Sequence, residues 1–498
     1  MNSSTQQNQD DFPIGDTSFE TAKPRKIRVG KVVKLDSDSP ATFKPGDPAK
    51  PIPTDFDAKA MAEELNLWRL DGAKGCHLRE SKDGNFIDLS GDDFSRCLRR
   101  GGVKLKPAEG ETLSQADELK DYVQEHRRVD FSMVSLAGHV SGTYSVSGVS
   151  MIVKKSPRLI EPKDGDWGGI RALIERMLEQ PGTSLSQVTL FHVWMKLAMD
   201  HQQKSGLALI LAGPRDCGKS LLQSLIITPL LGGRSADPGP HMFGDTDFNS
   251  ELFGSEHLLM EDPAPKRGFS RETFSEKIKG IVANNTHRFH PKGKDAVTLS
   301  PKWHLSISLN DEPDTMMIIP EMREDISDKI LLLRAKRPFD DDAFALPDKL
   351  GRTAFGERLR SQLPAYAHYL QSMAIEEGYQ GRRFGLRAWQ NPTLVSQLFE
   401  ASPAGRLLEL IDETRLWETE IRVGLEPGSG SHAEIQSELV RHLTQGDEAK
   451  GLFKVSRIEL LLHKLSVTNP DRVKHQRLTS GKGKGRWIWQ IMPPGPEV

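Results

Sequence analysis

The chain has 498 residues, of which 37% are hydrophobic, and this suits a soluble protein of two or three domains with a sizeable buried core. Its formal net charge of −2 excludes any argument about partners from overall electrostatics. The 3 cysteines, Cys76, Cys97 and Cys217, suit neither a disulfide framework nor a zinc site, and no apolar run approaches the roughly 20 residues of a membrane span.

Residues 1–54 are polar and rich in Pro, Asp, Ser and Lys, so they read as a disordered tail. They lack a charged-then-apolar leader, and the expectation is a cytoplasmic protein without a membrane. The basic patch Lys23–Lys34 is open to two readings, a solvated tail or a nucleic-acid contact. Residues 55–160 read as a small α+β domain. It has a helix over Asp57–Leu65, short strands over Trp68–Asp88 with turns at Asp71-Gly72 and Asp83-Gly84, a helix over Leu113–His126, and β-structure over Val129–Pro157. No catalytic constellation stands out there. Residues 161–203 form a helical preamble, with Leu173, Ile174, Met177 and Leu178, then Leu190, Val193, Trp194 and Leu197, at helical spacing.

Residues 204–340 carry four apolar runs of strand length: Leu207–Ala212, Glu256–Asp262, Trp303–Leu309 and Lys329–Leu333. Such runs, alternating with helical stretches, predict a mostly parallel sheet covered on both faces. The first run leads into Gly213-Pro214-Arg215-Asp216-Cys217-Gly218-Lys219-Ser220, a G-x-x-x-x-G-K-[ST] loop, and then into the apolar helix Leu221–Leu230. In such a loop the glycines let backbone N–H groups face phosphates, the lysine reaches the β- and γ-phosphates, and the serine ligates Mg²⁺. The second run ends in Glu261 and Asp262. One acid can hold the metal shell, with Ser220, while the other polarises water; an ordinary acidic turn is the plainer reading. The third run leads into Asn310, whose amide can lie between γ-phosphate and lytic water, although strand-terminal Asn is common in turns.

Between acids and Asn, Phe289-His290-Pro291-Lys292-Gly293-Lys294 followed by Val297 reads as a hairpin with lysines at its tip. The order of P-loop, paired acids, basic hairpin and strand-Asn resembles the superfamily 3 helicases, AAA+-type motors. Within them it is most similar to the primase-helicases of poxviruses, phages and plasmids. Phe248–Gly254 and the helical preamble share that texture, and coverage is roughly Asp166–Arg337. The resemblance implies a hexameric ring with ATP and Mg²⁺ held between subunits, and Lys292 and Lys294 gripping the DNA backbone in the channel. It also implies an arginine finger at the start of the next strand. Lys329 stands there instead, without the planar fork of arginine, and Arg323 or Arg334 is the alternative.

Residues 341–422 read as helices, Ala354–Glu377 and Leu386–Trp417, and residues 423–431 (VGLEPGSGS) as a linker. Residues 432–498 read as a winged helix: helices Ala433–Leu443 and Ser456–Leu465, then strands Arg472–Leu478 and Arg486–Ile491 around a basic wing with Lys482, Lys484 and Arg486. Such a tail binds DNA or docks a protein. The fold expected is α/β, a P-loop NTPase sheet with a small N-terminal α+β region, a helical preamble and a C-terminal winged helix. The function expected is an ATP-dependent DNA helicase of a phage, plasmid or integrated element, acting on single-stranded or forked DNA, with any primase or polymerase on another chain. The alternative is an ATP-switched DNA-binding regulator that does not unwind.

Overall fold

The computed structural model describes residues 56–70, 76–146, 148–200, 206–264, 269–290, 296–337, 351–442, 455–479 and 484–495. The expected tail, its patch Lys23–Lys34 and the turn Asp71-Gly72 lie outside them. The N-terminal region opens with the helix Ala58–Glu64, capped by the Asp57 carboxylate on Lys59 N and Ala60 N. Strands β1 (Leu67–Leu70), β2 (Cys76–Glu80), β3 (Phe86–Leu89) and β4 (Arg128–Val129) form a sheet in the order β3-β2-β1-β4. Gly84, with φ +75°, turns β2 into β3 as the Asp-Gly signal requires. The helix Gln115–His126 starts at a capping box of Ser114 and Asp117. A further helix, Gly91–Arg100, lies where sequence periodicity raised no expectation. Strands β5 (Phe131–Met133), β6 (Gly142–Val146) and β7 (Val149–Val153) make a second sheet.

The central sheet contains β8 (Ala208–Ala212), β9 (Ser235–Ala236), β10 (His257–Glu261), β13 (His304–Leu309), β14 (Ile330–Arg334) and β15 (Trp389–Gln390). Its order is β15-β14-β8-β13-β10-β9, and every pair is parallel. Between β10 and β13, β11 (His287–Phe289) and β12 (Val297–Leu299) form a separate antiparallel pair. The four apolar runs are β8, β10, β13 and β14. The edge strands β9 and β15 have two residues each, too short for a periodic signal. Trp389–Gln390 thus interrupts the stretch expected to be helical throughout; the open edge of β14 accepts it, with Leu331 opposite Trp389.

Alternate side chains of the sheet enter two cores, one on each face. Leu209, Leu211, Leu331 and Leu333 pack with the helices Gly168–Leu178, Gln187–Ala198 and Arg352–Ser372. Ile210, Leu258, Met260, Leu305, Ile307 and Leu332 pack on the other face with Phe253, Phe274 and Ile278. A fully buried leucine is worth about 1.5–3 kcal/mol, so these two layers hold the sheet rigid beneath whatever its loops carry.

The C-terminal region contains the helices His432–His442 and Val455–Thr468 and the strands β16 (Ser429–Gly430), β17 (Val473–Arg477) and β18 (Trp487–Ile491) in the order β16-β18-β17. Its core joins Ile435, Leu439, Leu462, Leu465, Trp489 and Ile491 to Leu407 and Leu410 of the preceding helix Pro403–Glu413. Residues 423–431, read as a linker, end in a strand: Ser429 pairs with Gln490 and is 2% exposed. The glycine signal had a different cause. A Cβ on Gly428 would stand 2.6 Å from Ile491 O, so glycine marks a close backbone approach.

Candidate functional site

The glycine loop leaves the carboxyl end of β8, the strand between β14 and β13. The connection leaving β8 runs toward the β9 edge, while that leaving β13 returns across β8 to β14. A crevice between two such strand ends is where open parallel sheets receive ligands. Gly213 sits against the neighbouring chain: an added Cβ would lie 2.3 Å from Ala335 O. Asp216 (φ +59°) and Gly218 (φ +91°) curl the loop into the helix that starts at Lys219, wound as a π-helix over Leu222–Ile227.

Lys219 is 6% exposed and folds back over the loop. Its Nζ donates to Gly213 O and Pro214 O, both at 2.8 Å, and lies 3.4 Å from Asn310 Oδ1. Among the described residues no carboxylate pairs with it, so a buried cation rests on neutral acceptors, an arrangement that favours an incoming anion. Cys217 is 1% exposed and its thiol is pushed up by burial, which leaves it a packing residue rather than a nucleophile. Ser220 is exposed beside it.

Glu261 ends β10 opposite Ser308 of β13, and both Glu261 and Asp262 are exposed. Asp262 takes φ +37°, uncommon for a residue with a side chain, while its N–H donates to Ser308 O at 2.9 Å. Gly213 and Asn310 therefore follow β8 and β13, and Glu261 ends β10, at the carboxyl ends of three adjacent strands. Arg215 spans the crevice to Glu312, 3.0 Å away, an exposed pair worth under about 1 kcal/mol.

The other expected site residues lie elsewhere. Lys329 immediately precedes β14, at the amino ends of the strands, where its carbonyl accepts from Ala208 N. Its side chain is 11% exposed, and Nζ donates to Asp325 O at 2.8 Å and Asp328 Oδ1 at 2.5 Å. It is thus engaged in its own turn rather than projecting outward. Arg334 ends β14 opposite Ala212 and is half-buried, whereas Arg323 is 62% exposed near Glu272 and Glu321. Lys292, Lys294 and Lys482 lie outside the described residues; β11 and β12, which flank the first two, do pair. Lys484 and Arg486 are exposed at the turn end of the C-terminal hairpin.

A buried polar network beneath the loop escaped sequence reading. Gln223 Nε2 donates to Ser306 Oγ at 2.7 Å, and His257 meets Ser306 Oγ and Thr228 Oγ1, both at 2.6 Å. Thr228 in turn donates to Gln223 O. This circuit is satisfied by a neutral His257 carrying its proton on Nδ1, and burial, then the neighbouring His304, lowers the imidazole to about 3. The signal was present: His304, Ser306, Ser308 and Asn310 alternate with apolar residues along a strand buried on both faces.

A family model described as a family of unknown function, DUF5906, matches residues 211–324, the stretch from the glycine loop to just past Asn310 and Arg323. No curated protein matches the chain. Among solved structures, the A form of the NrS-1 C-terminal region is similar with a TM-score of 0.52 at 11% identity, covering 88% of this chain and 100% of that one. A second structure of that region, residues 305–718, gives 0.52 at 10% identity, covering 88% and 99%. A JCV helicase structure matches with a TM-score of 0.27 at 13% identity over 41% of this chain and 51% of that one, too little to support an argument. This chain is a mixed α/β protein that shares the fold of the NrS-1 C-terminal region.

Proposed function

We propose that this protein is an ATP-driven motor of the superfamily 3 helicase type, a ring of identical subunits, hexameric, that unwinds DNA during replication of a phage, plasmid or integrated element. One observation carries the reading: Lys219 Nζ and Asn310 Oδ1, from loops after two adjacent parallel strands, stand 3.4 Å apart, with Glu261 ending the next strand.

The residues fit a nucleoside triphosphate. The loop has no room for a Cβ at Gly213, and Lys219 can exchange its carbonyl partners for phosphate oxygens. Ser220 and Glu261 would hold Mg²⁺, which neutralises charge on the phosphates. Asp262 or Glu261 accepts the proton of water as its oxygen bonds to the γ-phosphorus and the bond to the β-phosphate oxygen breaks. Asn310 orients that water. The two helices and β-hairpin of the C-terminal region support the winged-helix reading, with Lys484 and Arg486 toward DNA. Lys292 and Lys294 serve as the channel hairpin.

The test is ATP hydrolysis by the purified protein with and without single-stranded DNA, beside Lys219→Ala and Lys292→Ala/Lys294→Ala. Stimulation by DNA that disappears in the double variant is the expected result; persistence of hydrolysis in Lys219→Ala overturns the site. The engagement of Lys329 in its own turn favours a second reading, an ATP-switched DNA-binding regulator. Hydrolysis indifferent to DNA, with no strand displacement, selects it.

A further inference from the structure

In the C-terminal hairpin, Arg477 stands opposite Trp487, His475 opposite Trp489, and Val473 opposite Ile491. Cross-strand partners share a face, so these six side chains form one stripe. Its inner end is core: Val473, Trp489 and Ile491 are at most 2% exposed. Its outer end is not, for Trp487 is 60% exposed and Arg477 is exposed beside it.

The rings along this stripe stack. The His475 ring lies 4.1 Å from Trp489 at 18° and 4.8 Å from Trp487 at 31°. His463, from the helix Val455–Thr468, closes edge-on against both His475 and Trp489. A ladder of aromatic rings thus runs from the core to solvent, and Trp487 is its open last rung. His475 backs it, and burial lowers the imidazole below its ordinary range, keeping it an uncharged ring. Cations surround this end: Arg477, fixed by donation from Nε to Gly485 O at 2.9 Å, with exposed Lys484 and Arg486. Two acids act nearby, Glu459 on His475 and Glu434 on Arg486.

We propose that Trp487, backed by His475 and flanked by Arg477, Lys484 and Arg486, stacks on an unpaired base of a single-stranded polynucleotide. Every base has a π-face, so an exposed, rigidly backed indole binds without regard to sequence, and the cations meet the adjoining phosphates. Bases inside a duplex are already stacked on one another and offer no such face. The inference rests on the nucleic-acid part of the proposed function and is independent of ATP hydrolysis.

The experiment measures binding of the full chain, without nucleotide, by fluorescence anisotropy. The probes are labelled oligothymidylate, an abasic strand of equal length, oligouridylate and a blunt duplex. Trp487→Ala weakens binding of at least one base-bearing single strand about tenfold. Trp487→Tyr restores most of it, and the abasic strand and duplex are unaffected. Which of the two strands responds identifies DNA, RNA or both as the source of the base. Equal losses on all four probes, or no loss on either base-bearing strand, overturn the inference. A wild-type chain that binds no strand overturns the nucleic-acid part of the function itself, a separate outcome. Because Trp487 is exposed, an unchanged melting midpoint certifies the variant.

Discussion

Gln223 donates a 2.7 Å hydrogen bond to Ser306 Oγ, tying the helix that follows the glycine loop to the strand that leads into Asn310. Both residues are fully buried, and His257 and Thr228 complete the circuit. Position along this strand is therefore set relative to Lys219 by directional bonds as well as by packing.

Ser306→Ala removes the shared hydroxyl and leaves Gln223 Nε2 and His257 Nε2 buried without it. The expected cost is about 1–3 kcal/mol, read as a lower denaturation midpoint. Turnover falls too if the circuit registers Asn310 against Lys219, and Ser306→Thr restores part of both. A variant as stable and as active as the parent removes the circuit from the account.

Glu261→Gln retains the shape of the side chain but not its charge. If Glu261 serves the attacking water, kcat drops about 10²–10⁴-fold. Binding of a fluorescent ATP analogue, measured in parallel, separates this role from metal holding: retained affinity assigns the carboxylate to water, and lost affinity to Mg²⁺. Near-normal turnover removes Glu261 from the mechanism.

Gly213→Ala forces a Cβ to 2.3 Å from Ala335 O, a backbone atom that cannot swing away. We expect destabilisation of about 1–3 kcal/mol and loss of nucleotide binding, assayed by melting and by equilibrium binding. Alanine tolerated without either effect contradicts the close approach.

Acidification should destabilise the fold through its buried imidazoles. Burial, then His304, holds His257 at about 3, and burial, then Arg171, holds His192 at about 4, both below the ordinary 6.5. The unfolded chain takes up these protons first. The stability they contribute is thus complete above pH 6.5 and is lost as pH falls toward 4. Between 6.5 and its folded-state value each group contributes a slope of at most about 1.4 kcal/mol per pH unit. Melting between pH 7.5 and 5 should show a falling midpoint, with a shallower fall in His257→Gln; a flat profile in the parent refutes this.

Arg323 and Lys329 should separate in a ring. In the proposed ring Arg323, which is exposed, is the candidate finger, and Arg323→Ala is expected to lower hydrolysis about 10³-fold or more with the fold intact. Lys329→Ala, which empties a turn built on Asp325 and Asp328, should act mainly on stability. The reverse pattern, by turnover and melting on both variants, would return the finger to Lys329.

The glycine loop and the four inner strands were legible because their physics is local. A phosphate loop needs glycines and a lysine at fixed offsets, and a strand buried on both faces must be apolar. The acids and Asn310 were legible as strand ends, yet only tertiary structure set them in line, because strand order depends on pairings between segments far apart in the chain, as Leu209 is from Ser306 and Leu331. The short edge strands β9 and β15 exist only because a neighbouring strand offers an unpaired edge. Gly428 carried a linker's composition, but contact with Ile491 decided its role. Lys329 matched a finger by position, while the turn around it engaged its amine. Spacing along the chain specified what each residue could do chemically, and long-range packing decided which of them meet.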